Sequence, residues 1–288
     1  MVSENNHYIN YWDDKLYYFP HRKNYKVAFG KPSIAVTFKD AVIYTATNIS
    51  NSYQNINLFL SGGFDSNVAL LGFIYAKKQE NLNIKILRYE NDINIFDYSI
   101  SKKLCEMYKL KYEIIDINIK NFLKKECLFY CSKILTRDPY FGLLVKLLEK
   151  HVDPSYVNIF GIGDFEFKFS QKDTKFYVKE REYLGRLNIQ YRNYIPFYRY
   201  DPNIMSAWIL DQRIIDFTDN KTNTTNWNEY KTVFYRYHFP ELPDRNKHTG
   251  FELVNTLFYD FENKTKNYVD KYNIDKHYSR EDYLCLLG

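Results

Sequence analysis

An α/β fold, with a parallel sheet and flanking helices followed by a helical C-terminal subdomain, is what the sequence predicts, and three observations carry it. Between residues 56 and 160, short apolar runs rich in β-branched residues alternate with longer helix-period stretches, the pattern of a parallel sheet with right-handed crossovers. The first run ends in Ser61-Gly62-Gly63-Phe64-Asp65-Ser66 and leads directly into a helical pattern, which reads as strand, glycine turn, helix. After about residue 165, helical patterns follow one another with no clear strand between them. Three segments are expected: an N-terminal extension packed on the core over 1–50, an α/β core over 51–165, and a mainly helical subdomain over 166–288.

Residues 1–34 are aromatic and irregular, with extended pieces expected at 16–20 and 25–29 and a helix over 36–48. The core opens with a strand at 56–60, the glycine turn, and an apolar helix through 68–76. A second strand at 84–88, an amphipathic helix at 96–110 and a third strand at 112–117 follow. A helix at 141–151 then leads to a short strand at 157–160 that ends in Gly161-Ile162-Gly163. Beyond it, 205–217, 228–238 and 251–263 carry helical patterns.

At 288 residues, 45% hydrophobic and 26% charged, the chain is long and apolar enough for a substantial core, which excludes a disordered tail or a collagen-like rod. No stretch approaches the roughly 18–20 apolar residues of a membrane span, and MVSENNHYINYWDD has neither the basic nor the apolar region of a signal peptide. A soluble, cytoplasmic protein with no membrane partner is therefore expected. Four cysteines in a chain this long do not make a disulfide framework. Cys127 and Cys131 are four apart and could share a helix face, but no second close pair or nearby histidine completes a metal site, so core or semi-buried thiols are expected. The abundance of Asn, Lys, Ile, Tyr and Phe over Ala and Gly suggests an AT-rich coding genome, which would explain much of the 29 tyrosines without function. The net charge of +5 and the lysines between Lys102 and Lys125 invite a nucleic-acid partner, but apolar residues interleave them, as on a solvated face.

The glycine turn carries the chemistry. Glycines let the backbone turn sharply and bring N–H groups close to phosphate oxygens, the helix start adds partial positive charge, and Ser61 and Ser66 offer hydroxyl donors. Asp65 would repel a bare phosphate, which makes sense if it holds a magnesium ion that bridges phosphates. The Walker pattern, with its lysine in the turn, is not present. An ordinary Gly-Gly-x-Asp turn is the plain alternative, but the full Ser-Gly-Gly-x-Asp-Ser directly after the first apolar strand favours nucleotide binding.

SGGFDS resembles the pyrophosphate loop (PP-loop) of the N-type ATP pyrophosphatases, and the chain is similar to the synthetase domain of asparagine synthetase and its relative β-lactam synthetase. The likeness continues through Phe96-Asp97 and the segment before Tyr112. Asp138-Pro139 follows, then Gly161-Ile162-Gly163-Asp164-Phe165-Glu166, similar to the family's Gly-Glu-Gly-x-Asp-Glu. Ile195-Pro196-Phe197 resembles its Val-Pro-Phe, Lys231 to Arg236 its lysine-to-arginine helix, and Arg245-Asn246-Lys247-His248-Thr249-Gly250-Phe251 its Arg-x-Lys-x-Gly-Phe with one extra residue. Together these cover about residues 56–251. The resemblance implies an adenine nucleotide alpha hydrolase-like, Rossmann-like fold with the helical region on the substrate side. It also implies adenylation of a carboxylate by ATP, release of pyrophosphate, and displacement of AMP by an amine.

By that resemblance, Leu60, Ser61, Gly62, Gly63, Asp65, Ser66 and Gly161 bind ATP, and the ends of the second strand, Arg88 and Tyr89, meet adenine through their backbone. Asp65 with Asp164 or Glu166 holds magnesium, Lys247 stabilises the transition-state oxygens, and Lys231 touches the phosphates. His238 and His248 are read as packed or surface histidines rather than general bases. The family's glutaminase domain has no counterpart, so the nitrogen is expected as ammonia, as an amine, or from a separate glutaminase partner. The family's Glu-x-Arg finds only Gln190-Tyr191-Arg192, which lacks the acid that helps handle the acceptor. Two rivals stand beside this ligase. One is an enzyme on the same fold that adenylates a nucleobase, with Cys127 and Cys131 as a thiol relay; the other is an ATP-binding regulator without turnover.

Overall fold

The structure, a computed structural model, describes residues 36–134, 136, 138–153, 155–163, 187, 190–191, 193–219, 227–244, 254 and 257, and as backbone 8–12, 25–29, 167–170, 175–180 and 276–279. Strands β1 (Tyr8–Trp12) and β2 (Tyr25–Phe29) pair antiparallel. Helix α1 (Phe38–Ser52) then enters the core, its start fixed by Thr37, whose hydroxyl oxygen accepts from the Asp40 amide.

All five residues of β3 (Ile56–Leu60) are buried, as expected of a central strand covered on both faces. The glycine turn follows, then α2 (Phe64–Tyr75), β4 (Leu82–Tyr89), α3 (Ile95–Met107) and β5 (Tyr112–Ile117). Short helices α4 (Ile119–Asn121) and α5 (Cys127–Lys133), in a segment the sequence pattern did not signal, lead to α6 (Pro139–Lys150) and β6 (Val157–Phe160). Asp-Pro starts two helices the same way: Asp138 accepts from the Tyr140 amide with Pro139 in the first turn of α6, and Asp201 from the Asn203 amide with Pro202 opening α7 (Pro202–Leu210).

The region after residue 165 departs from expectation. It contains β7 (Phe167–Ser170), β8 (Lys175–Glu180) and β10 (Lys276–Ser279), which form an antiparallel sheet ordered β10-β8-β7, and β9 (Tyr194–Pro196), which joins the parallel sheet beside β6. Three-residue β9 is too short to show a period-2 pattern, whereas Phe167-Lys168-Phe169-Ser170 does alternate apolar and polar residues, a strand signal the sequence reading passed over. The single helix expected over 205–217 is two, α7 and α8 (Gln212–Asp219), because Asp211 is extended (φ −63°, ψ 129°) and accepts from the Arg213 amide. Helix α9 (Trp227–His238) is where the pattern places it, whereas the expected pieces at 16–20 and 251–263 lie outside the described residues except for 254 and 257.

The main sheet runs β5-β4-β3-β6-β9, all parallel, with helices on both faces. Ile56, Leu58 and Leu60 face one core with α1, α2, α7 and α9; Phe59 and Phe160 face the other with α5 and α6, their rings stacked in register with centroids 4.5 Å apart. Between the strands the register is fixed by an asparagine ladder. Asn83 donates to Asn57 Oδ1 (2.9 Å), Asn57 donates to Asn158 Oδ1 (2.8 Å), and Asn158 donates to the Tyr156 and Asn193 carbonyls. These residues are directly opposite one another on β4, β3 and β6, so a one-residue slip would break every rung. Among the described residues no helix is long and apolar enough to cross a membrane. Asn57→Ala removes two rungs and leaves buried Asn158 Oδ1 without its donor, so a loss of about 2–3 kcal/mol is expected in urea unfolding monitored by circular dichroism.

Candidate functional site

The chain lays β3, β4 and β5 outward in one direction and then returns to place β6 and β9 on the other side of β3. In an open parallel sheet the crevice outside the carboxyl ends of the strands at such a switch point is where ligands bind. Here the two loops that leave β3 and β6 are Ser61-Gly62-Gly63 and Gly161-Ile162-Gly163, carried side by side by the register Phe59↔Phe160.

Both loops are glycine because backbones meet there. Gly62 sits at φ +91°, and a Cβ on it would lie 2.1 Å from the Asp97 carbonyl carbon, at the start of α3. A Cβ on Gly161 would lie 2.4 Å from Ser66 Cα and 2.6 Å from its nitrogen. The turn is held from within. The Ser66 hydroxyl donates to the Gly63 carbonyl, Asn67 donates to the Gly62 carbonyl, and the Ser101 hydroxyl donates to Asn67 Oδ1. No side chain caps the start of α2 at Gly63, which leaves first-turn N–H groups and the helix dipole to face an incoming anion.

Two side chains of α9 reach the turn. Lys231 Nζ donates to both Asp65 oxygens, at 2.9 and 3.0 Å, and the Tyr235 hydroxyl donates to Asp65 Oδ1 at 2.7 Å. The pair is well shielded, with side-chain exposures of 6% for Lys231 and 16% for Asp65. The Tyr198 hydroxyl donates to the Asp65 carbonyl, and the Tyr198 and Tyr235 rings are stacked with centroids 6.2 Å apart. Behind the turn, buried Arg199 donates from Nε to the Gly163 carbonyl.

The structure thus gathers Leu60, Ser61, Gly62, Gly63, Asp65, Ser66, Gly161 and Lys231 into one place. Arg88 and Tyr89 end the adjacent strand. The Arg88 guanidinium makes a two-pronged pair with Asp116 on β5 (2.6 and 2.8 Å), which holds the Asp116 carboxyl below its ordinary range. Tyr89 is buried, and burial pushes its phenol well above the ordinary value. Past the end of β3, Asn94 stands in for a neighbouring strand: its side chain accepts from the Tyr89 amide (2.7 Å) and donates to the Leu87 carbonyl (2.9 Å). Asn94 therefore occupies the Tyr89 amide, one of the backbone groups that the resemblance offers to adenine. Lys247, Asp164, Glu166 and His248 lie outside the described residues.

The histidine and cysteine expectations are met where they are described. His238 packs against Phe38 and Phe234 with Nε2 3.0 Å from Asp211, and burial lowers its pKa in spite of that carboxylate. Cys105, Cys127 and Cys131 are buried, with the sulfurs of Cys127 and Cys131 3.7 Å apart; burial first, and then Cys127, push the Cys131 thiol well up. Among the described residues no group of three or more His, Cys, Asp and Glu forms a metal cluster. Two carboxylates do meet at the turn, Asp65 in the first turn of α2 and buried Asp97 in the first turn of α3, whose Oδ2 is 3.9 Å from the position a Cβ on Gly63 would take. Carboxylate oxygens beside helix-start N–H groups are the kind of donor a hard cation takes.

Sequence reasoning missed Tyr198, Tyr235, Asn94 and the packing role of Asp97. Tyr235 had a signal, since it follows Lys231 by one helical turn on the same face. The others are reached only through the fold. Fold and site together define a Rossmann-like α/β protein with a glycine turn at its switch point. No protein-family model matches the chain, and no curated protein matches it in sequence. Among solved structures it is similar to a glutamine-dependent NAD+ synthetase from Acinetobacter baumannii in complex with ADP, with 13% identity over 83% of this chain and 48% of that one, and a TM-score of 0.31. It is also similar to an NH3-dependent NAD synthetase from Campylobacter jejuni in complex with the nitrate ion, with 14% identity over 74% of this chain and 100% of that one, and a TM-score of 0.30. The chain spans about half the length of the Acinetobacter protein. At those TM-scores neither likeness bears on function, which is read from the chain's own residues.

Gly62→Ala forces a side chain into the Asp97 backbone at positive φ, so a loss of more than about 2 kcal/mol is expected in denaturant unfolding. The neighbouring Gly63→Ala, which meets only ordinary contacts at 3.5 and 3.9 Å, is expected to leave stability within about 1 kcal/mol of the parent.

Proposed function

We propose that this chain is a magnesium-dependent ligase of the ATP pyrophosphatase type. It adenylates the carboxylate of an amino acid or small metabolite and forms an amide with ammonia or an amine, releasing AMP and pyrophosphate. One observation carries the proposal: an uncapped helix opens on Ser61-Gly62-Gly63 at the switch point of the sheet, with Lys231 brought onto the turn from α9. The turn lacks the lysine that a Walker loop carries within itself, and Lys231 supplies that charge from a distant helix.

In this proposal the N–H groups at the start of α2 receive the phosphate oxygens, and Ser61 and Ser66 border them with hydroxyls. Asp65, with Asp164 or Glu166, would hold magnesium, which when bound neutralises charge developing on the phosphates. Lys231 meets the phosphate oxygens, and Lys247 is assigned by the resemblance to the transition state. The close packing of Gly161 on Ser66 keeps the loop from opening, so the donors are fixed before the ligand arrives. The nitrogen comes as ammonia, as an amine, or from a separate glutaminase partner. The nucleobase rival would use either a basic surface leading to the turn or a thiol relay, and the burial of Cys127 and Cys131 speaks against the relay.

Nucleotide product analysis tests the proposal. With Mg-ATP, ammonium and a panel of amino acids, AMP and pyrophosphate are expected in the presence of one acid, and Asp65→Asn is expected to abolish them while the circular dichroism spectrum is kept. ADP as the product would overturn the assignment, and the same products appearing only with tRNA or DNA would transfer it to the nucleobase rival.

A further inference from the structure

We infer that Lys231 is a tethered counter-ion for Asp65: it occupies the carboxylate in the nucleotide-free protein and leaves it for phosphate, so that a divalent cation enters only together with the nucleotide. This rests on the proposal that the Ser61-Gly62-Gly63 turn receives phosphates. Both Asp65 oxygens accept from Lys231, and Oδ1 accepts from Tyr235 as well. The pair is nearly closed to solvent, where a carboxylate cannot be left without a positive partner and two cations crowded on it repel strongly. A cation alone would therefore have to expel the Lys231 ammonium into poorly solvated surroundings. A phosphate in the turn changes the balance, because it gives the ammonium a second anion within reach of its flexible four-carbon stem.

Tyr235 plays the opposite part. Its ring is stacked on Phe38 (centroids 5.8 Å apart) and on Tyr198, which fixes the hydroxyl, while the Tyr198 hydroxyl pins the Asp65 carbonyl. One helix thus presents a movable donor and a fixed one to the same carboxylate. When Lys231 turns away, Tyr235 keeps Asp65 Oδ1 in place.

Binding of manganese to the whole chain, measured by calorimetry and by water proton relaxation, tests this without turnover. Parent protein is expected to bind manganese alone at least about tenfold more weakly than in the presence of a saturating non-hydrolysable ATP analogue. Lys231→Met is expected to raise affinity for manganese alone by about tenfold or more, and Asp65→Asn in that background to remove the gain. Equal affinity of the parent for manganese with and without the analogue would overturn the counter-ion role while leaving the nucleotide site standing. No binding of the analogue by the parent, with or without manganese, would overturn the nucleotide site itself. The parent comparison stands even where Lys231→Met does not fold.

Discussion

Asn57, at the amino end of β3, has an asparagine directly opposite it on each neighbouring strand, and the three amides bond in sequence. Asn57 and Asn158 are buried, so their amides must find partners within the sheet, and only one register gives them each other. That register decides where each strand ends at the far side of the sheet. With Phe59 opposite Phe160, the chain leaves β3 through Ser61 and β6 through Gly161 at the same level, and the two loops touch. A polar lock at one edge of the sheet therefore sets the geometry of the candidate site at the other.

At that far edge the constraint changes from hydrogen bonding to volume. Gly62 lies against the Asp97 backbone and Gly161 against Ser66, approaches that no side chain permits. The Gly63 and Gly62 carbonyls accept from Ser66 and Asn67 and the Gly63 amide donates to Ser61 Oγ, so the uncapped start of α2 is what faces the crevice. Asp65 alone would make this a poor place for an anion. Lys231 offsets it, and the aromatic packing of α9 on α1 and α7, through Phe38, Trp208 and Phe234, puts that lysine there. Two of the tyrosines that composition alone would assign to coding bias, Tyr198 and Tyr235, hold Asp65 by its carbonyl and its carboxylate.

The strands and helices of the α/β core were legible because apolar periodicity is a local property: 56–60, 112–117 and 157–160 coincide with β3, β5 and β6. The period-2 signal of Phe167-Lys168-Phe169-Ser170 was passed over, while the reading failed at 194–196 because that strand is only three residues long, and at Asp211 because an aspartate that caps α8 interrupts a continuous helical pattern. The anion-binding character of Ser61-Gly62-Gly63 was legible for a different reason. Glycine marks backbone that must approach something closely, and an adjoining strand and helix say where.

By itself, the sequence determined the alternation of strands and helices in the core, the turn and its donors, and the burial of Cys105, Cys127 and Cys131. The partner of Asp65 was decided only by the tertiary structure. Lys231 and Asp65 are 166 residues apart, and no local pattern joins them; they meet because the chain reverses direction about β3 and α9 packs beside α2. Likewise Asn94 lies only five residues from Tyr89, yet its place on the open edge of β4 exists only because β3 stops first. Local chemistry writes the donors and acceptors into the chain, and the packing of distant elements determines which of them face each other.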